Sequence, residues 1–197
     1  MKIPTLISLV LFPLFAQTQP FQSLPDDTAK VRAIHQYIKE TRTLSPDTMF
    51  TLATEGLDLA KKLNDSKGLA FMSLYQGLSK AYQGKFSEAI PFFDTAVITH
   101  LSRKDTLEAG KVLINLGLAY DYMGEMDQAL VQYERAAVFL NQVNQPNSRL
   151  FHNIAIIYRK QEKYDQAEAF YLKSLALKEM EKDSLGMART WFNLATL

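Results

Sequence analysis

The stretch LINLGLAYDYMGEMDQALVQYERA, residues 113–136, decides the fold. Leu113, Leu116 and Tyr120 fall at helical spacing, and so do Leu130, Tyr133 and Ala137. Gly124 stands between the two sets, where the chain must turn, and glycine tolerates the left-handed backbone that closes a helix. The stretch therefore predicts two helices joined by a tight turn. The small residues Gly117, Ala129 and Ala136 mark places where two helix backbones approach closely. Tyr120 and Tyr133 fill the space beside that contact.

The same pattern recurs on both sides. Phe151, Ile154, Ala155, Tyr158, Glu162, Ala167, Tyr171 and Ser174 repeat it downstream, and Ser73, Gln76, Gly77, Lys80, Gly84, Ala89, Phe93 and Ala96 repeat it upstream. Trp191, Leu194 and Ala195 begin it once more. The small residue recurs at 77, 117, 155 and 195, with spacings of 40, 38 and 40. Asp65, Asp105 and Asp183 each lie 12 residues before that small residue, followed by Ser66, Thr106 or Ser184. An aspartate there can accept hydrogen bonds from the first free amides of a helix and suits the positive end of its dipole. Period and phase markers together define a repeat array.

This pattern resembles the tetratricopeptide-repeat (TPR) family over roughly residues 66–197, most fully in the unit around Gly117. The resemblance implies an all-α TPR solenoid, with antiparallel helix pairs stacked in a right-handed superhelix and first helices lining a concave groove. The repeat is longer than the usual one. The proline that often ends the second helix is replaced by Leu101, Asn141 and Glu179. Both features resemble the longer-repeat subgroup that includes kinesin light chains. Pro91, a turn into a second helix, is expected to remove a backbone bond and bend the chain. Complete units are assigned to 65–104, 105–142 and 143–182, and 183–197 is read as the first helix of a truncated further unit. Residues 26–64 read as a degenerate first unit, whose second helix starts at Ser45-Pro46-Asp47 with Ser as cap and Pro at the first helical position. An ending at Trp191-Phe192-Asn193-Leu194-Ala195-Thr196-Leu197, inside a first helix, leaves an aromatic face without a partner helix, so a fragment of a longer protein is expected.

The N-terminus differs from the rest. Lys2, the apolar run Ile3–Phe15 and Ala16 read as a signal peptide over 1–16, with 17–25 a linker. A periplasmic or secreted location is expected from it, with membrane contact only through that peptide or a missing C-terminal region. Lys+Arg is 22 against Asp+Glu 21, so the formal charge of +1 gives no general attraction to nucleic acid. There is no Cys, which removes disulfides and thiolate chemistry. Neither a cofactor nor a metal is expected. No catalytic motif occurs, the three histidines, His35, His100 and His152, fall on different helices, and no enzymatic activity is expected.

The informative polar residues lie on first helices. Asn115, Asn153 and Asn193 each precede an apolar residue and the small residue, and Lys111, Arg149 and Arg189 stand four positions earlier. Four residues is about one turn, so each cation shares a face with its Asn. By the resemblance this face lines the groove, and the recurring Asn is similar to the ladder that grips an extended peptide. An Asn amide both donates and accepts, matching a peptide bond, and a cation beside it can hold a carboxylate. Leu118, Tyr122, His152, Tyr75 and Tyr82 are candidate walls. The expected function is a scaffold that binds a protein or extended peptide, with acidic groups or a free C-terminal carboxylate preferred. Two alternatives are the sensory region of a signalling protein and the regulatory array of a larger enzyme.

Overall fold

The computed structural model describes residues 21–197, so the signal-peptide reading of 1–16 and the start of the linker lie outside the described residues. The described chain forms helices α1 (Thr28–Glu40), α2 (Pro46–Lys62), α3 (Ser66–Tyr82), α4 (Phe86–Ser102), α5 (Thr106–Tyr122), α6 (Met126–Gln142), α7 (Ser148–Lys160), α8 (Tyr164–Met180) and α9 (Ser184–Leu194). Each packs against the next, giving an all-α solenoid of helix pairs. Successive first helices also touch, α1 with α3, α3 with α5 and α5 with α7. The first-helix layer is therefore the inner side of the curve.

Local chemistry sets the ends of each helix. Asp65 accepts from the amides of Lys67 and Gly68, Asp105 from that of Glu108, and Asp183 from that of Gly186. Ser45 caps α2 through the Thr48 amide, with Pro46 at the first position. At the other end, the helices from α2 to α8 close in one way. The amide two residues past the cap bonds back to the last turn, as in Asp65 to the Ala60 carbonyl (2.8 Å), Asp105 to His100 (2.9 Å) and Asp183 to Lys178 (2.9 Å). The residue between adopts a left-handed backbone, with φ +74° at Gly84 and +80° at Gly124. Lys104 (φ 59°), Glu162 (59°) and Lys182 (56°) adopt it without being glycine. That conformation costs a side-chain-bearing residue about 1–2 kcal/mol, part of which glycine returns through its looser unfolded chain. Lys104→Gly, Glu162→Gly and Lys182→Gly are each expected to raise urea-denaturation stability by about 0.5–1 kcal/mol. A loss in all three would refute the backbone cost.

The pair contact follows the small residues. A Cβ on Gly117 would meet the Tyr133 ring at 2.5 Å, and one on Gly77 would meet the Phe93 ring at 2.6 Å. Tyr133 and Phe93 are fully buried, as is Tyr171, which packs with Ala155. The central core joins α4, α5, α6 and α7 through Phe93, Leu113, Leu116, Tyr133 and Ile154. Pro91 does not end its helix. Helix α4 runs unbroken from Phe86 to Ser102, and the exposed proline ring faces away from the buried stripe of Ala89, Phe93, Ala96 and Val97. Burial of that stripe holds the helix through the one missing N–H. Phe21, read as linker, is fully buried and meets Tyr37 edge-on at 5.4 Å.

Candidate functional site

The groove-side residues of α3, α5, α7 and α9 differ from unit to unit. On α5, Lys111 is exposed, but its ammonium lies 2.6 Å from Glu108 Oε1, one turn earlier. Asn115 is half-buried, and its Oδ1 accepts from Arg149 Nη2 of α7 at 3.3 Å. One unit's cation thus reaches the previous unit's amide. Leu118 is half-buried. Tyr122 is exposed and stacks flat on Phe86, 4.6 Å between centroids. Asp121 anchors the Lys160 ammonium at 2.5 Å, a second α5–α7 tie.

Asn153 is placed differently from Asn115. It is 9% exposed, its amide nitrogen has no hydrogen-bond partner among the described residues, and its carboxamide adjoins the Tyr133 hydroxyl. Arg149 beside it is exposed. On α9, Arg189 is exposed and Asn193 half-buried, with its amide nitrogen 3.3 Å from His152 Nε2. His152, Arg189, Phe192 and Asn193 line one open cleft between α7 and α9. The structure therefore brings together Asn115 with Arg149, and His152 with Asn193 and Arg189. It sets Lys111 apart with Glu108 and turns Asn153 inward.

Phe71 and Tyr75 occupy on α3 the register of Lys111 and Asn115 on α5. Phe71 lies 4.1 Å from the His35 ring, and the Tyr75 hydroxyl is 3.0 Å from His35 Nδ1. Tyr75 is buried and Tyr82 exposed. With Val31, Arg32, Lys67 and Gly68, the His35 and Phe71 rings line a recess of ≈ 280 Å³. The groove thus carries cations at both ends, beside aromatic rings at its N-terminal end and beside amides at its C-terminal end.

A buried polar cluster lies beneath the α7–α9 cleft. Lys178, on α8, is 6% exposed and reaches Thr190 Oγ1 (2.7 Å), the Gly186 carbonyl (3.2 Å) and His152 Nδ1 (3.4 Å). Burial pushes the His152 imidazole down to about 4, and the Lys178, Arg159 and Arg189 charges push the same way. Sequence reasoning missed Lys178 and Thr190, although a signal was there. Lys178 stands where the other second helices carry Ala60, His100 and Leu140, and Thr190 where the first helices carry Met72, Val112 and Leu150. Two core positions that face each other turn polar together.

Family models described as "Tetratricopeptide repeat" match residues 110–137 and 147–197. A curated relative, "Photosystem I assembly protein Ycf3" of Prochlorococcus marinus (strain MIT 9215), is 26% identical over 135 residues, 65% of this chain and 74% of the relative. Among solved structures, aspartyl phosphate phosphatase F from Bacillus subtilis superposes with TM-score 0.76 at 17% identity, over 86% of this chain and 45% of that one. A putative kinesin light chain with TPR-like repeats from Podosopora anserina gives 0.66 at 13% identity, over 87% of each chain. These structural likenesses speak to the fold alone. The relatives correct one expectation. Assembly of photosystem I is not a periplasmic task, so the periplasmic or secreted location read from residues 1–16 is withdrawn. Among the described residues, no helix is long and apolar enough to cross a membrane.

Proposed function

We propose that the first-helix groove of this chain, a scaffold of tetratricopeptide repeats, binds an extended, acidic peptide segment of a partner protein. The observation that carries the reading is the pairing of cation and amide on successive first helices, Arg149 with Asn115 and Arg189 beside Asn193. Among the described residues, neither arginine lies within ion-pair distance of a carboxylate. A guanidinium free of acid partners can take an incoming carboxylate in two hydrogen bonds, while Asn115 and Asn193 supply groups that match a peptide backbone. The relatives' name points the same way, since an assembly protein works by binding other proteins. The chain is read as a binder without a catalytic step. A sensory array, or a regulatory array attached to an enzyme, would use the same groove.

Peptide-library selection followed by titration calorimetry at two salt concentrations tests this. Arg149→Ala is expected to weaken acidic peptides about 3–10-fold and neutral ones less, because a lost charged hydrogen bond is worth about 1 kcal/mol or somewhat more. The difference should shrink as salt rises, since the site is open to solvent. Selection of basic peptides, or unchanged binding in both Arg149→Ala and Arg189→Ala, would move the ligand to another surface.

A further inference from the structure

We propose that Lys178 and Thr190 act through His152 to fix the Asn193 carboxamide with its NH₂ facing the groove, making the α7–α9 cleft a hydrogen-bond-donating subsite for a carboxylate or carbonyl oxygen of the peptide. The inference rests on the groove reading for its ligand, but not for its first step, which concerns the resting protein.

The chain of contacts is continuous. Lys178 sends its ammonium from α8 into the space between α7 and α9. It has three protons to donate and three acceptors within reach, Thr190 Oγ1, the Gly186 carbonyl and His152 Nδ1. A buried ammonium left with an unused donor is costly, so all three acceptors are engaged. His152 Nδ1 must then present its lone pair. A proton on Nδ1 would point at a positive charge 3.4 Å away. Thr190 Oγ1, 3.1 Å from Nδ1, is satisfied as acceptor from Lys178 and keeps its own proton for Nδ1 or the Gly186 carbonyl. With Nδ1 an acceptor and the ring neutral, the imidazole proton sits on Nε2.

That assignment decides the next residue. The amide nitrogen of Asn193 lies 3.3 Å from Nε2, which would set two donors against each other. Oxygen and nitrogen of a carboxamide have nearly the same shape, and the hydrogen-bond network decides which faces the ring. An Nε2–H requires the oxygen there. Turned so, Asn193 accepts from His152 with Oδ1 and offers its NH₂ to the cleft, next to the exposed Arg189 guanidinium. Two donor groups then border the cleft, and the Lys178 charge lies behind them with no carboxylate within 4 Å among the described residues. An incoming group that only accepts hydrogen bonds fits this arrangement, and another donor does not. The other cations around the ring, Arg159 and Arg189, further oppose protonation of His152. Burial lowers the Lys178 pKa, and Asp183 and Glu181 in the α8–α9 turn oppose that fall, while Arg189 adds to it.

Nitrogen-15 long-range correlation spectra of the histidine side chains on the whole chain test the relay. In the wild type at pH 7, His152 should show a protonated Nε2 and a bare Nδ1. A ring with its proton on Nδ1 would overturn the proposal without any variant. Lys178→Met preserves length and apolar bulk. It should raise the His152 pKa, since the Lys178 charge holds it down beside the larger effect of burial, and let the Nδ1–H form appear, because Thr190 Oγ1 can then accept. An unchanged ring titration in Lys178→Met would also overturn it. Lys178→Gln serves as the second variant should Lys178→Met fail to fold; with the charge gone and an amide oxygen able to accept, it should likewise raise the Nδ1–H share. Hexaglutamate peptide, with hexaglutamine as control, probes the ligand half. Hexaglutamate should shift the Asn193 side-chain NH₂ resonances in the wild type and bind Lys178→Met about 3–10-fold more weakly. The expected tautomer without any Asn193 shift would sustain the relay and refute its assignment to peptide binding. The wrong tautomer refutes the relay whatever hexaglutamate does.

Discussion

Gly117→Leu is expected to lower folding stability by about 3 kcal/mol or more, at or above the upper end of the roughly 1–3 kcal/mol that overpacking usually costs. The first added carbon already decides this. A Cβ at position 117 would sit 2.5 Å from Cε1, 2.7 Å from Cδ1 and 3.0 Å from Cζ of Tyr133. Tyr133 has no room to yield. It is fully buried, packed among Leu113, Leu116, Ala129 and Ala136, and its hydroxyl has no hydrogen-bond partner among the described residues. Either helix α6 moves off α5 or the ring leaves its rotamer, and both disturb the central core. Denaturant midpoints of wild type and variant measure the loss, and an unchanged midpoint would mean that Gly117 is not at the helix contact. A double-mutant cycle sharpens the test. Gly117→Ala and Tyr133→Leu should each destabilise alone, yet together cost less than their sum, because the smaller side chain vacates the space the new methyl needs.

The same residue shows why the fold was legible and parts of the site were not. The Gly117–Tyr133 contact recurs as Gly77–Phe93 and as Ala155–Tyr171, so one sequence reports it three times. Caps such as Asp65, Asp105 and Asp183 are local, needing only the amides two or three residues on, and a local signal survives without knowledge of the fold. The left-handed turns were legible only where glycine marks them, at Gly84 and Gly124. At Lys104, Glu162 and Lys182 the backbone is imposed by the helices on either side. The groove was harder because its residues choose partners that spacing does not reveal. Lys111 has its Asn one turn ahead and Glu108 one turn behind, and the carboxylate wins by charge. Asn153 lies in the register of Asn115 but is drawn inward beside Tyr133. The Lys178 cluster was written in the repeat as a polar residue at a core register. That register lies in the last turn of the second helices, whereas the groove's recurring polar residues lie on the first.

Acid should expose the cost of burying neutral histidines. His35, His100 and His152 all have their pKa pushed down, with burial the largest cause for each. His100 is fully buried on α4 and lies 5.3 Å from the Phe71 ring. In the unfolded chain each imidazole takes a proton near pH 6.5, whereas the folded protein resists it. The unfolded state then binds more protons, so stability is fully present above about pH 6.5 and falls as pH drops below it. For His152 the fall continues to about pH 4, its folded value. One pKa unit corresponds to about 1.4 kcal/mol, and after discounting for the edge of the ring that water reaches, His152 alone accounts for a loss on the order of 1–2 kcal/mol. The carboxylates do not confuse this window. Asp26 and Glu88 are held below their usual values by Lys30 and Lys80, so their contribution is lost only at still lower pH. Asp94, raised by burial, acts in the opposite sense at the carboxylate end of the range. Urea titrations at pH 7.5, 6.0 and 5.0 should therefore show falling stability, mostly between the last two. His100→Leu, which installs the residue that Leu140 supplies at the same register, should flatten part of the fall. Stability that stays level or rises between pH 7.5 and 5.0 would show that these rings are not buried as neutral groups.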